Sequence, residues 1–343
     1  MVDIVPVLHV GAKLGNGHFG EVFLALDSVH GKVAVKILAR KLGEHDDKWL
    51  ARKAGFLAEA QNLSKARHRN VVQVYHIEEL PDGNSIRFCM AFCPGGSLQS
   101  AFEAGPMPLL ELRKVATEVT LGLEALHARG MLHRDIKPGN VLIDGAGVAQ
   151  LGDFGLVTDN LIMGYGSQAG YSDHIAYEVW LGRGTSTKSD IWALGMTLYR
   201  LLHGKAWYED ALSPQSIVRD GRFANTLHWL PHITKPWRRA IRKMLNDDTS
   251  LRYQTAGQVL NALSGLPTPS WSTTVTPSLV RWEQSSKGRL KVVEWSRQSA
   301  QKHEWKAWSE PVGKAGRIKF LGGSLSAITK KQATNELEAF FEI

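Results

Sequence analysis

The chain is predicted to be an α+β protein with two unequal lobes, β-rich first and helical after, closed by a small β/α module. Three observations predict this. Residues 9–38 carry strand formers in alternation, HVGAKLGNGHFGEVFLALD and then KVAVKIL. Beyond Pro94-Gly95-Gly96 the apolar pattern switches to helical spacing, most clearly over residues 109–129 and 189–204. At 266–278 (LPTPSWSTTVTPS) three prolines and a Ser/Thr cluster interrupt the pattern, and short alternating runs return after them. The resulting boundaries are 1–93 for the first lobe and a hinge, 94–265 for the second lobe, 266–278 for a linker and 279–343 for the closing module.

Within the first lobe, a glycine-containing turn joins two strands, and KVAVKIL supplies a third. Residues 47–66 place Leu50, Ala54, Leu57 and Leu63 mostly at helical spacing, which predicts a helix. VVQVYHI and SIRFCMAF then read as two more strands. In the closing module RLKVVEW, HEWKAWS and RIKFLGG read as strands. Thr329 and Gln332 form a capping box that opens a final helix striped with Ala333, Leu337, Phe340 and Phe341.

Composition excludes several function classes. The 343 residues are 43% hydrophobic and 22% charged, which suits a folded soluble chain rather than a disordered one. No apolar run approaches the roughly 20 residues of a membrane helix. MVDIVPVLHVGAKLG lacks the basic and apolar regions of a secretory signal, so a cytoplasmic location is expected. Two cysteines, Cys89 and Cys93, cannot build a disulfide framework and by themselves fall short of a zinc ligand set. The net charge of +8 is unevenly spread, with +5 in the last 78 residues, and five of the 11 tryptophans lie there.

The chemistry-bearing residues come in order. Gly15-x-Gly17-x-Phe19-Gly20-x-Val22 spans a strand–turn–strand, where glycines let a backbone approach phosphate oxygens. Fourteen residues past Val22, Lys36 sits in the apolar run Val33-Ala34-Val35. A lysine is costly to bury there unless it meets anions, and Glu59 on the next helix could supply a carboxylate. His133-Arg134-Asp135-Ile136-Lys137-Pro138-Gly139-Asn140 follows, and Asp153-Phe154-Gly155 begins thirteen residues after Asn140.

These four motifs, in this order and spacing, resemble the eukaryotic-type (Hanks-type) protein kinase family on its serine/threonine side, over about residues 7–265. The resemblance implies the bilobed protein kinase fold and an ATP- and magnesium-dependent serine/threonine protein kinase, with manganese as a substitute ion and autophosphorylation included. It implies that Lys36 contacts the α- and β-phosphates and pairs with Glu59. Asp135 would orient the substrate hydroxyl, Lys137 would contact the γ-phosphate, and Asn140 and Asp153 would hold the metal. Gly15, Gly17, Gly20, Val22, Ala34, Met90 as gatekeeper, Ala91 and Cys93 would line the nucleotide site. Asp190 in Asp190-Ile191-Trp192-x-x-Gly195 would anchor the catalytic loop, Arg252 would pair with Glu178, and Leu63, His133 and Phe154 would join a hydrophobic spine.

The segment 170–178 departs from the family pattern. Tyr171 stands where a Thr is usual, His174 where a Tyr is, and Tyr177 where a Pro is. These departures put the peptide-docking platform in question and leave a nucleotide-binding pseudokinase scaffold, or a small-molecule phosphotransferase of the same fold, as alternatives. Arg134 beside Asp135 points to a phosphorylated activation-loop hydroxyl, with Ser167 the first candidate. The protein substrate is unidentified from sequence. For the tail, docking on the kinase lobes or packing into a small sheet of its own ranks first, a protein partner second, and nucleic acid stacked on Trp282, Trp295, Trp305 and Trp308 last.

Overall fold

A computed structural model describes residues 8–17, 20–65, 67–152, 174–209, 218, 220–299, 301–313 and 316–342. The first lobe is an antiparallel sheet in the order β1-β2-β3-β5-β4, made from Leu8–Gly17, Gly20–Asp27, Gly31–Ala39, Ser85–Ala91 and Val74–Glu79 respectively. Helix α1, Asp46–Lys65, packs beside it. Its buried face is built mainly on two rings, with Leu57 packed beside them. Trp49 and Phe56 are buried with Leu38, Ile86 and Phe88, whereas Leu50 is 56% exposed. The larger rings win the inward positions because they cover more apolar area, and Trp49 Nε1 also donates to the Gly83 carbonyl at 3.0 Å.

The second lobe is helical. Its helices are α2 Gln99–Ala104, α3 Leu109–His127, α4 Tyr177–Trp180, α5 Thr187–Glu209, α6 Lys235–Met244 and α7 Ala256–Ser264. α3 buries Leu112, Val115, Ala116, Val119, Leu123 and Leu126, spaced by three and four as an inward stripe requires. α5 is kinked where Gly204 takes φ 66°, a conformation that lets the chain turn against Gly105 and Pro106. Two short strands, β6 Val141–Ile143 and β7 Ala149–Leu151, form a hairpin next to the loop that carries Asp135.

Beyond α7 the chain forms a second five-stranded antiparallel sheet in the order β12-β11-β10-β9-β8. Strands β10 Arg289–Ser299, β11 Lys302–Pro311 and β12 Lys319–Gly323 coincide with the three expected runs. Two strands are additional. β9 is Leu279–Ser286, and β8, Ser272–Val275, lies inside the segment expected to be a linker. Four residues bracketed by prolines suffice for β8 because it is an edge strand that pairs on one side only. Helix α8, Lys330–Phe341, opens with the expected capping box at Thr329 and Gln332 and buries Ala333 and Leu337.

One apolar core runs from the helical lobe into this sheet, and Val280, Trp282, Val293 and Trp295 are completely buried in it. Trp282 Nε1 donates to His232 Nδ1 at 2.9 Å, Trp237 Nε1 donates to the Pro267 carbonyl at 2.8 Å, and the Trp207 and Trp295 rings are 6.1 Å apart. Arg238 pairs with Glu338, and Lys235 with Glu342. A sheet and helix of this size make a marginal core alone, so sharing the core with α5 and α6 stabilises both parts. Trp282→Phe leaves His232 Nδ1 buried without its donor, and is expected to cost about 1–3 kcal/mol. The check is a lowered urea midpoint at constant slope; an unchanged midpoint would show that the bond contributes nothing.

Among the described residues, no helix is long and apolar enough to cross a membrane.

Candidate active site

The loop between α3 and β6 is fixed by one buried carboxylate. Asp190, in the first turn of α5 and 1% exposed, accepts the His133 N–H on Oδ2 at 2.9 Å and the Arg134 N–H on Oδ1 at 2.8 Å. His127 Nε2 approaches the same Oδ2 at 2.9 Å. These bonds hold Arg134 at φ 68°, a left-handed conformation that costs a side-chain-bearing residue on the order of 1–3 kcal/mol. Thr197 Oγ1 on α5 adds a bond to the Ile136 carbonyl at 3.2 Å. The rigid core helix thereby sets the loop backbone, and the loop in turn aims its side chains.

Three polar side chains converge there. Asp135 is 4% exposed, and its Oδ2 accepts from Lys137 Nζ at 2.8 Å and from Asn140 Nδ2 at 2.7 Å. Asn140 Nδ2 also donates to the Asp135 carbonyl at 2.8 Å. With its amide nitrogen engaged twice, Asn140 has its side-chain oxygen left as a donor toward a cation. Asp135 and Asn140 therefore offer oxygen, the ligand type that hard divalent cations take. Asp153, and with it Phe154, lies outside the described residues.

The glycine hairpin and β3 lie in the first lobe. β1 and β2 pair in register from Gly15↔Val22 to Gly17↔Gly20. Gly15 and Gly20 differ in what they do. A Cβ at Gly20 would stand 2.1 Å from the Ile37 carbonyl oxygen, so glycine is required there by packing alone. A Cβ at Gly15 would meet nothing within 4 Å, so no protein contact explains that glycine. Lys36 is buried on β3, opposite Val22 on one side and Phe88 on the other. Ala34 pairs with Met90 on β5. The side chain of Glu59 lies outside the described residues, as does that of Leu63.

The hinge follows β5. Ala91 N–H donates to the Gln73 carbonyl at 2.9 Å, and Cys93 Sγ lies 3.6 Å from Gln150 Oε1 on β7. Burial pushes the Cys93 thiol up to about 11 and the Cys89 thiol up to about 12, so neither is a ready nucleophile.

A family model described as "Protein kinase domain" matches residues 8–263. The chain belongs to the protein kinase family. It is 33% identical over 214 residues to "Mitogen-activated protein kinase kinase kinase ANP1" of Arabidopsis thaliana, which covers 60% of this chain and 32% of that one. It is 33% identical over 201 residues to "DNA damage-responsive serine/threonine-protein kinase RqkA" of Deinococcus radiodurans, covering 56% and 29%. A third relative, "Serine/threonine-protein kinase PksC" of Streptomyces coelicolor, is 34% identical over 218 residues, covering 60% and 38%. The chain thus spans about a third of the length of these relatives, and its second sheet lies beyond the matched region.

In this member of the family the segment 174–178 is held by two ion or hydrogen-bonded pairs, one of them fully buried. Arg252, 1% exposed, donates to both oxygens of Glu178, at 2.7 and 2.9 Å, a bidentate geometry that fixes α4 against the helical lobe. His174, in place of the usual Tyr, has its Nε2 2.6 Å from Arg200 Nη1. Burial, with the nearby Arg200 and Lys137 cations, holds its imidazole well below the usual histidine range, so it is neutral and accepts that bond. Arg200 is itself stacked over Phe102 at 4.2 Å. Of the departures from the family pattern, His174 is accommodated by this pair and Tyr177 opens α4. Tyr171, Ser172 and the candidate phosphosite Ser167 lie outside the described residues.

Sequence reasoning missed His127, Thr197 and Arg200. Each acts on a residue 26 to 63 positions away, and no local spacing marks such a partner.

Proposed function

We propose that this protein is an active serine/threonine protein kinase that transfers the γ-phosphate of ATP, with magnesium, to a hydroxyl of a protein substrate. The observation that carries this reading is the buried Asp135–Lys137–Asn140 cluster, with Lys137 Nζ 2.8 Å and Asn140 Nδ2 2.7 Å from Asp135 Oδ2. Asp135 orients the incoming hydroxyl, and Lys137 reaches from it toward the phosphoryl group in transfer. Asn140 and Asp153 would hold magnesium, which neutralises phosphate charge when bound. Gly15, open on its free side, leaves room for a phosphate against the hairpin backbone, and Lys36 supplies the cation behind it. Two buried free thiols fit the reducing cytoplasmic setting that this reading proposes.

The same reading assigns the second sheet a regulatory role through the helical lobe. It covers α5, which carries Asp190 in its first turn, and α6, and it turns Trp282, Trp295 and Trp305 into the shared core, away from any base, while Trp308 stays partly exposed beneath Arg281 and Lys306.

Purified protein incubated with radiolabelled ATP is expected to label itself or a protein acceptor on Ser or Thr, with magnesium or manganese required and zinc ineffective. Nucleotide binding without any transfer would instead mark a pseudokinase scaffold. Transfer confined to small molecules would mark a phosphotransferase.

A further inference from the structure

On the outer face of the first sheet, three side chains of metal-ligand type converge from three strands. The ligand atoms of Asp27 on β2, His76 on β4 and Cys89 on β5 all lie within 4.8 Å of one another. Strand alternation puts Cys89 on the same face as Ala25, Val33 and Val35, opposite to the face of Met90 and Lys36. The cluster is therefore separate from the nucleotide cleft. An irregularity in the β4–β5 register creates it. Val74 pairs with Met90 and His76 with Cys89, so Tyr75 is an extra residue that re-aims His76 beside Cys89.

Asp27 is the second, independent sign of a ligand. It is 2% exposed, and its Oδ1 takes every bond the carboxylate makes: the Val29 N–H at 2.8 Å, the His30 N–H at 2.8 Å and His30 Nδ1 at 3.0 Å. Oδ2 is buried with no hydrogen-bond partner among the described residues. A buried carboxylate oxygen without a partner is costly and calls for an ion or water. His30, stacked on Tyr75 at 4.0 Å, locks the carboxylate from outside in the way that supporting residues orient metal ligands.

We propose that Asp27, His76 and Cys89 bind a thiophilic divalent transition-metal ion, with zinc the fitting member, as a clip across three of the five strands. One sulfur, one imidazole nitrogen and one carboxylate oxygen suit zinc or cobalt, whereas magnesium and calcium require oxygen throughout. Ligand atoms around a tetrahedral zinc stand about 3.3–3.8 Å apart, given bonds of about 2.0–2.3 Å, so side-chain shifts of about 1 Å close the site. As the metal–sulfur bond forms, the Cys89 thiol proton leaves to solvent, and water takes the fourth position. The clip would stiffen the strand bearing Met90 from its far face.

The 343-residue chain, stripped with chelator, is titrated with cobalt. A thiolate-to-cobalt charge-transfer band should saturate at one equivalent and be displaced by zinc, and zinc should raise the Tm. Cys89→Ser should abolish the band, and His76→Ala should weaken zinc binding at least tenfold and remove the Tm rise, while Cys93→Ser keeps both. His76→Ala serves as the folded control, since the His76 side chain is partly exposed and makes no hydrogen bond among the described residues. Absence of the band in wild type, or a band lost in Cys93→Ser and kept in Cys89→Ser, would overturn the proposal.

Discussion

Asp135→Asn is expected to lower phosphoryl transfer at least about 100-fold while leaving the Tm within a few degrees of wild type. The carboxylate does two things that an amide cannot. It can accept the proton of the incoming hydroxyl, and its charge holds Lys137 Nζ at 2.8 Å. An asparagine that presents its NH2 to Lys137 would push the ammonium away, and one that presents its oxygen would still lack the charge. Both outcomes remove terms that act at the transition state, so the loss should fall on kcat more than on KM. Folding should persist because the loop backbone is held independently by Asp190 and by the Asn140 bond to the Asp135 carbonyl. Lys36→Ala should show a loss of similar size. Turnover within threefold of wild type in both variants would refute the catalytic assignment.

The parts of the structure that were legible in the sequence are those whose chemistry or periodicity is local. Asp135, Lys137 and Asn140 lie within six consecutive positions, so one loop fixed by Asp190 suffices to cluster them. Alternation located β10, β11 and β12, and the Thr329 capping box located the start of α8. The failures have physical causes. The spacing that located α1 did not say which of its side chains turn inward, because Trp49 and Phe56 take those positions ahead of Leu50, a competition that spacing does not rank. β8 was hidden because an edge strand flanked by prolines looks like a linker until β9 pairs with it. The Asp27–His76–Cys89 cluster was invisible because its members come from three strands and depend on a register shift at Tyr75. Counting cysteines could only report that two are too few.

Stability should fall steeply as pH drops from 7 to 5, ahead of any ordinary carboxylate titration. Two histidines at the seam of the helical lobe and second sheet are completely enclosed and neutral. Burial pushes His203 down to about 3 and His232 down to about 3. Their hydrogen bonds require the neutral form. His203 donates from Nδ1 to the Tyr199 carbonyl at 2.7 Å and accepts the Leu230 N–H on Nε2 at 3.3 Å. His232 accepts from Trp282 on Nδ1, and a proton there would eliminate that bond. Above pH 7 both states are neutral and these groups add no pH dependence. Below about 6.5 the unfolded chain takes up protons that the folded chain refuses, so unfolding becomes easier with each further drop, down to the folded values near 3. At pH 5 this costs about 2 kcal/mol per histidine, or about 4 kcal/mol for the pair, a large share of the stability of a typical domain. His174, held low by burial, acts in the same direction. The window separates this from carboxylates such as Glu44. The Arg52 hydrogen bond holds that group down at about 2, and its contribution is lost only as pH falls below about 4.5. Urea unfolding followed by tryptophan fluorescence at pH 7.5, 6.5, 5.5 and 5.0 measures the effect, and Trp207, Trp282 and Trp295 at the seam report it directly. An unfolding free energy that stays flat from pH 7 to 5 would mean that His203 and His232 are not buried as neutral groups, and that the second sheet does not share the core of the helical lobe.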